Sequence, residues 1–90
     1  MIGVKKVPKV KVVFFASLKE SIGLNEYLAD FALPLTVDEI KQQLANELQN
    51  GQVLLEQKIQ ASIDFDFARD TDVVSESVHE VAFFPPVTGG

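Results

Sequence analysis

The residues best placed to do chemistry stand at the end of the sequence, where Gly89-Gly90 follow the apolar run Val81-Ala82-Phe83-Phe84-Pro85-Pro86-Val87. Two residues without Cβ atoms, beyond a proline pair that cannot join a sheet ladder, suit an end that is threaded into a narrow site on another molecule. The reactive group of such an end is the C-terminal carboxylate on Gly90. Six residues from Pro85 to Gly90 span about 20 Å when extended, which reaches into a deep pocket. A frayed, solvated tail is the ordinary fate of a terminus. Such a tail is expected to be polar, whereas no charged side chain follows Glu80.

Other chemistry finds little support. The sequence has no cysteine, so disulfides and thiolate metal sites are excluded and any sulfur chemistry needs a group other than a side-chain thiol. His79 is the single histidine and has no second ligand at metal-binding spacing, so it reads as a solvated strand residue. Asp64, Asp66, Asp70 and Asp72 form an acidic cluster without the glycine and terminal glutamate of a calcium loop, and read as turn and surface residues. No phosphate-binding loop, nucleophile elbow or zinc-protease motif occurs, so no cofactor is expected on this chain and ATP would be met only on a partner.

Net charge is −5 and unevenly spread. Lys5, Lys6, Lys9 and Lys11 supply half of the basic residues, while residues 12–90 hold all thirteen acids against four bases, a balance of −9. That balance repels phosphate backbones and argues against nucleic acid, and it suits either a basic protein partner or plain solubility. The lysines near the start are not followed by an apolar stretch, so neither a signal peptide nor a membrane span is expected. A small domain without disulfides is expected in the cytoplasm.

The elements that must position the end are legible in part. Lys9 to Phe15 alternate with period two and are rich in β-branched residues, which predicts a strand with Val10, Val12 and Phe14 on one face and Lys9, Lys11, Val13 and Phe15 on the other. The lysines mark the second face as wet, which makes Phe15 a candidate exposed aromatic. Ser17 to Ile22 is a short turn or helical segment closed by Gly23, and Glu26 to Leu33 reads as a second strand. Thr36 with Glu39 three residues later forms a capping box, and Val37, Ile40, Leu44 and Leu48 then give one apolar stripe. This predicts a helix over 37–49, stopped by Asn50-Gly51. Further strands are expected over 58–63, around Phe67 and over 78–84, with a turn near Asp64. In the last strand Val81 and Phe83 belong to the core, so Glu80, Ala82 and Phe84 share the wet face.

The order β-β-α-β-β-β, with one main helix packed across a mixed sheet of about five strands and the first and last strands parallel at its centre, is an α+β fold of β-grasp, or ubiquitin-like, type. Residues 1–8 are read as an N-terminal extension, 9–84 as the β-grasp domain and 85–90 as a flexible tail.

Val12-Val13-Phe14-Phe15-Ala16 and the block from Glu80 to Gly90 resemble the molybdopterin synthase small subunits, a ubiquitin-like sulfur-carrier family. Ala61-Ser62-Ile63-Asp64-Phe65-Asp66-Phe67-Ala68 is similar to that family's strand-turn-strand segment. The resemblance implies that Gly90 is adenylated by an enzyme of the ubiquitin-activating type and then converted to a thiocarboxylate. It further implies that this end enters the active site of the large synthase subunit and donates sulfur to cyclic pyranopterin monophosphate in molybdenum cofactor biosynthesis. Two carriers are consumed per product, and the implied complex is a heterotetramer whose catalytic pocket lies on the large subunit, this chain being no enzyme by itself. It also implies that Phe15, Phe67 and Phe84 make apolar contacts with the large subunit, with Pro85, Pro86, Val87, Thr88 and Gly89 continuing into its pocket.

The chemistry implied is physically coherent. A carboxylate with a pKa of about 3.5 is ionised at neutral pH and acylates poorly, so it must be activated, and attack on the α-phosphate of ATP achieves this. The acyl adenylate accepts sulfur, and the soft, anionic thiocarboxylate is a good nucleophile for the reason that a thiolate outreacts a thiol. Three features depart from the family pattern: residues 1–8 precede the usual start, Ser75-Glu76-Ser77-Val78-His79 lacks the usual glycine, and Asp64 stands where an asparagine is usual. Other readings of the same end are a ubiquitin-like modifier forming isopeptide bonds, a sulfur carrier for thiamine synthesis and a plain binding module. The Phe-Phe-Pro-Pro-Val block argues against the thiamine carrier.

Overall fold

A computed structural model describes residues 9–56 and 58–86. The expected extension over 1–8, and Val87 to Gly90, lie outside the described residues.

Strand β1 (Lys9–Phe14) leads into helix α1 (Ala16–Ile22), and strand β2 (Glu26–Asp30) returns antiparallel beside β1. Strand β3 (Leu35–Thr36) passes directly into helix α2 (Val37–Glu47), and a 3-10 turn (Gly51–Leu55) comes next. Strands β4 (Gln60–Ile63) and β5 (Asp66–Ala68) form a hairpin, and β6 (Val73–Val74) precedes the last strand β7 (Glu80–Phe84). The main sheet has the order β2-β1-β7-β4-β5, with β1 and β7 parallel neighbours and β7 antiparallel to β4. This is the mixed five-stranded β-grasp sheet expected, with its first and last strands adjacent near the middle.

Side-chain alternation on β1 and β7 builds the core. Val10, Val12 and Phe14 point to the helix side with Val81 and Phe83, and the Phe14 and Phe83 rings stack with centroids 6.4 Å apart. Helix α2 lays Val37, Ile40 and Leu44 against them, all buried. Its start is fixed by the predicted capping box: Glu39 N–H donates to Thr36 Oγ1 at 3.1 Å, and Thr36 N–H donates to Glu39 Oε1 at 2.9 Å.

The short turn or helical segment expected near Ser17 is borne out as a helix of two turns with Leu18 and Ile22 buried, closed by Gly23 at φ 84° as expected. Several other expectations needed correction. Helix α2 ends at Glu47, because Leu48 is already extended and its partly buried side chain packs on the core. Asn50 does adopt the left-handed conformation, at φ 62°, but there it opens the 3-10 turn. A Cβ on the next residue, Gly51, would stand 2.5 Å from the Leu44 carbonyl oxygen, so glycine is needed for the turn to lie against α2. Strand β2 stops at Asp30, β4 begins at Gln60 and β7 begins at Glu80, each shorter than expected. The two-residue pairing of β3 with β6 was not expected, and it anchors the polar segment before β7 to the start of α2.

Candidate functional site

The sheet leaves one face uncovered by α2, and its register determines which residues meet there. Val13 of β1 lies opposite Ala82 of β7, Ala82 opposite Ser62 of β4, and Ser62 opposite Phe67 of β5. One step further along β7, Phe84 lies opposite Gln60, and Phe15 N–H donates to the Phe83 carbonyl at 3.1 Å, which carries the β1–β7 ladder one residue past the strand. Three phenylalanines from different parts of the sequence are thereby gathered at one end of this face. Phe15 is 50% exposed and Phe67 76% exposed. Phe84 is half-buried, a correction to its expected exposure, because the Phe67 ring packs against it edge-on with centroids 5.7 Å apart. Ala82 is also buried, at 4% exposure, on a face expected to be wet: its methyl sits in a row between Val13 and Ser62, beside Phe84.

The other end of the same face is charged. Lys11 Nζ lies 3.6 Å from Glu26 and 3.7 Å from Glu80, bridging β2, β1 and β7. The face is thus divided along the strands, ionic where β1 and β7 begin and aromatic where they end. Pro85 and Pro86 leave from the aromatic end and are half-buried. Val87, Thr88, Gly89 and Gly90 lie outside the described residues.

Local structure holds this arrangement at both ends of the β4–β5 hairpin. The hairpin turns through Asp64 at φ 46° and Phe65 at φ 74°, a two-residue loop with both residues left-handed. Asp64 Oδ1 accepts the backbone N–H groups of His79 at 3.0 Å and Glu80 at 2.9 Å, and Asp64 N–H donates to the Glu80 carbonyl. Asp64 therefore fixes the approach to β7 from the hairpin loop, outside residues 75–79. His79 is exposed, as expected of a solvated residue, although it precedes the strand. Asp72 Oδ2 accepts Arg69 N–H, a turn role as expected for the cluster, whereas Asp70 meets Lys41 Nζ at 2.7 Å.

Sequence reasoning missed Lys41, Phe65 and Ala16. Lys41 is buried in the apolar stripe of α2. Phe65 is 82% exposed, and Ala16 turns the chain out of β1 at φ 54°. A lysine at the fourth position after Val37 was the available signal for the first, since that spacing points it inward. Among the described residues no three metal-capable side chains converge, and no helix is long and apolar enough to cross a membrane. The hollow lined by Gln42, Ala45, Asn46, Gln52, Leu55 and Glu56 is remote in sequence from the aromatic end and offers no nucleophile paired with a base.

Comparison with known proteins accords with this geometry. The chain is 36% identical over 84 residues to the molybdopterin synthase sulfur carrier subunit of Escherichia coli (strain K12), covering 90% of this chain and 99% of that protein. The crystal structure of small archaeal modifier protein 1 from Haloferax volcanii superposes with a TM-score of 0.69 at 22% identity, over 91% of this chain and 99% of that one. The solution structure of the protein of that name from Methanosarcina acetivorans gives a TM-score of 0.69 at 20% identity, over 96% and 100%. At those identities the two structures speak for the fold alone. The model of the ThiS family matches residues 12–90, from the middle of β1 to Gly90, and the chain belongs to the ThiS family.

Proposed function

We propose that this chain is the sulfur carrier of a molybdopterin synthase. Gly90 is adenylated at the expense of ATP by an activating enzyme, converted to a thiocarboxylate, and inserted into the large subunit, where it gives up its sulfur to cyclic pyranopterin monophosphate. The carrier binds no cofactor of its own and works in the cytoplasm. The observation that carries the reading is the 36% identity to the Escherichia coli sulfur carrier subunit, which runs through nearly the whole of both chains.

In this reading the aromatic end of the open face is the surface that the large subunit recognises. Phe15, Phe67 and Phe84 present apolar surface beside the point where Pro85 and Pro86 depart, so docking of the face would aim the terminal residues. Pro85 and Pro86 hold the exit extended with little entropy to lose on binding. Val87, Thr88 and Gly89 are assigned to the path into the partner, and the glycines pass where a side chain would collide.

Mass spectrometry of the intact chain, incubated with its activating enzyme, ATP and a sulfur donor, tests the reading. Exchange of one oxygen for sulfur at the terminus is expected, and deletion of Gly90 abolishes it. A mass that never changes would sink the proposal, and covalent conjugates to lysines of other proteins would replace it with the modifier reading.

A further inference from the structure

Lys41 is the one charged side chain among the described residues that is buried, at 4% exposure, and it stands where an apolar residue would complete the stripe of α2. Its ammonium donates to two groups: the Ile59 carbonyl at 3.0 Å and Asp70 Oδ1 at 2.7 Å. Ile59 immediately precedes β4, and Asp70 lies two residues beyond the end of β5. One nitrogen thus grips both open legs of the hairpin whose closed end is tied to β7 through Asp64. The exit leg is bound to the same helix again, since Asp38 N–H donates to the Asp70 carbonyl and Val37 N–H to the Asp72 carbonyl, each at 3.0 Å.

We propose that Lys41 is a positioning residue for partner recognition: by clamping the two legs of the β4–β5 hairpin to α2, it holds Phe67 in place against Phe84 on the opposite face of the sheet. The inference rests on the reading of that face as the large-subunit contact. Strand β5 needs such a hold. It is an edge strand of three residues, paired on one side only, and Phe67 at its centre is mostly exposed. Stability alone is a poor reason for the charge, because burying the ammonium loses hydration that an apolar side chain in the stripe would not lose, and the exposed carboxylate of Asp70 returns only a screened attraction. Direction is a better one. An apolar side chain would fill the same space but would fix neither the Ile59 carbonyl nor the Asp70 carboxylate.

The test uses the full chain carrying Lys41→Met, which keeps the length of the side chain and removes the ammonium. In the free chain, the Phe67 ring resonances and the amide exchange of Asp66 to Ala68 should shift toward those of a loosened strand, while the exchange of the β1 and β7 core amides is unchanged. Affinity for the large subunit, by calorimetry, should fall about ten-fold, and in a Phe67→Ala background Lys41→Met should cost no further affinity, because the two act through one contact. Unchanged Phe67 resonances and β5 exchange would overturn the clamp, as would an additive loss in the double variant. Should Lys41→Met fail to fold, Asp70→Asn, which weakens one arm of the grip at an exposed residue, must give the same β5 signature or the proposal falls. Absence of large-subunit binding by the unaltered chain would instead strike at the proposed function, and the measurements on the free chain would still decide the clamp.

Discussion

Phe67 meets Phe84 edge-on across the intervening strand β4, with ring centroids 5.7 Å apart and planes inclined at 66°. Ser62, opposite both Ala82 and Phe67, is small enough to leave room for this contact over the sheet. The pair differs in its two members: Phe84 is half-buried, whereas most of Phe67 faces solvent. Phe67→Ala is therefore the cleaner probe of recognition. Stability in thermal unfolding should fall by no more than about 1.5 kcal/mol, because the pair contributes about 0.5–1.5 kcal/mol. Large-subunit affinity, measured by calorimetry, should fall by about 1–2 kcal/mol if an aromatic anchor is lost. Equal affinity would remove Phe67 from the interface.

Asp64 offers a test of the contacts that tie the β4–β5 hairpin loop to the start of β7. Its Oδ1 accepts two backbone N–H groups, and that of Glu80 is part-buried. Asp64→Ala leaves both donors without this partner and should cost about 1–3 kcal/mol in urea unfolding. Asp64→Asn keeps an acceptor oxygen and tolerates the left-handed backbone, so it should recover most of that loss. Equal losses for the two variants would show that these bonds do not hold the turn.

Phe65 occupies the second position of the hairpin loop at φ 74°, where glycine is favoured, and its side chain is largely in solvent. A side-chain-bearing residue in that region costs about 1–2 kcal/mol, against about 0.5–1 kcal/mol for the extra backbone entropy that glycine loses on folding. Phe65→Gly should therefore stabilise the chain by about 0.5–1 kcal/mol and raise its melting temperature. A lower melting temperature would mean that the ring makes contacts worth more than the strain.

Tyr27 predicts an alkaline limit. Its hydroxyl donates to Glu47 Oε2 at 3.0 Å, tying edge strand β2 to the last residue of α2. That hydrogen bond, and then partial burial and the negative charges of Glu47 and Asp30, raise the phenol above its ordinary value of 10.0. The folded state thus holds the proton more tightly than the unfolded one. The contribution is complete below about pH 10 and is lost as pH rises through the raised value. Tyr27→Phe should abolish this part of the decline in a pH series of urea unfolding curves, and an unchanged series would disprove the link.

Periodic segments were legible in the sequence and non-local ones were not. Lys9 to Phe15 announce a strand by alternation, one residue longer than β1 proves to be, and Thr36 with Glu39 announces the helix start, because both signals lie within a few residues. Strands β3 and β6 have two residues each and no period, so their pairing becomes visible only once α2 and β7 are in place. The parity of β7 put Phe84 on the open face correctly. Its exposure was misjudged because the cover comes from Phe67, seventeen positions earlier and two strands away. Lys41 was passed over for a related reason. A lysine is read as solvated unless its partners are known, and Ile59 and Asp70 lie 18 and 29 residues along the chain.

The place of β7 between β1 and β4 has a mechanical consequence. Traction applied beyond Phe84 runs along a strand held by a ladder on either flank, one parallel and one antiparallel. Its bonds lie across the line of pull, so both rows are loaded together in shear instead of being peeled one bond at a time from an edge. A partner can thus tug on the residues beyond Phe84 without unzipping the sheet behind them.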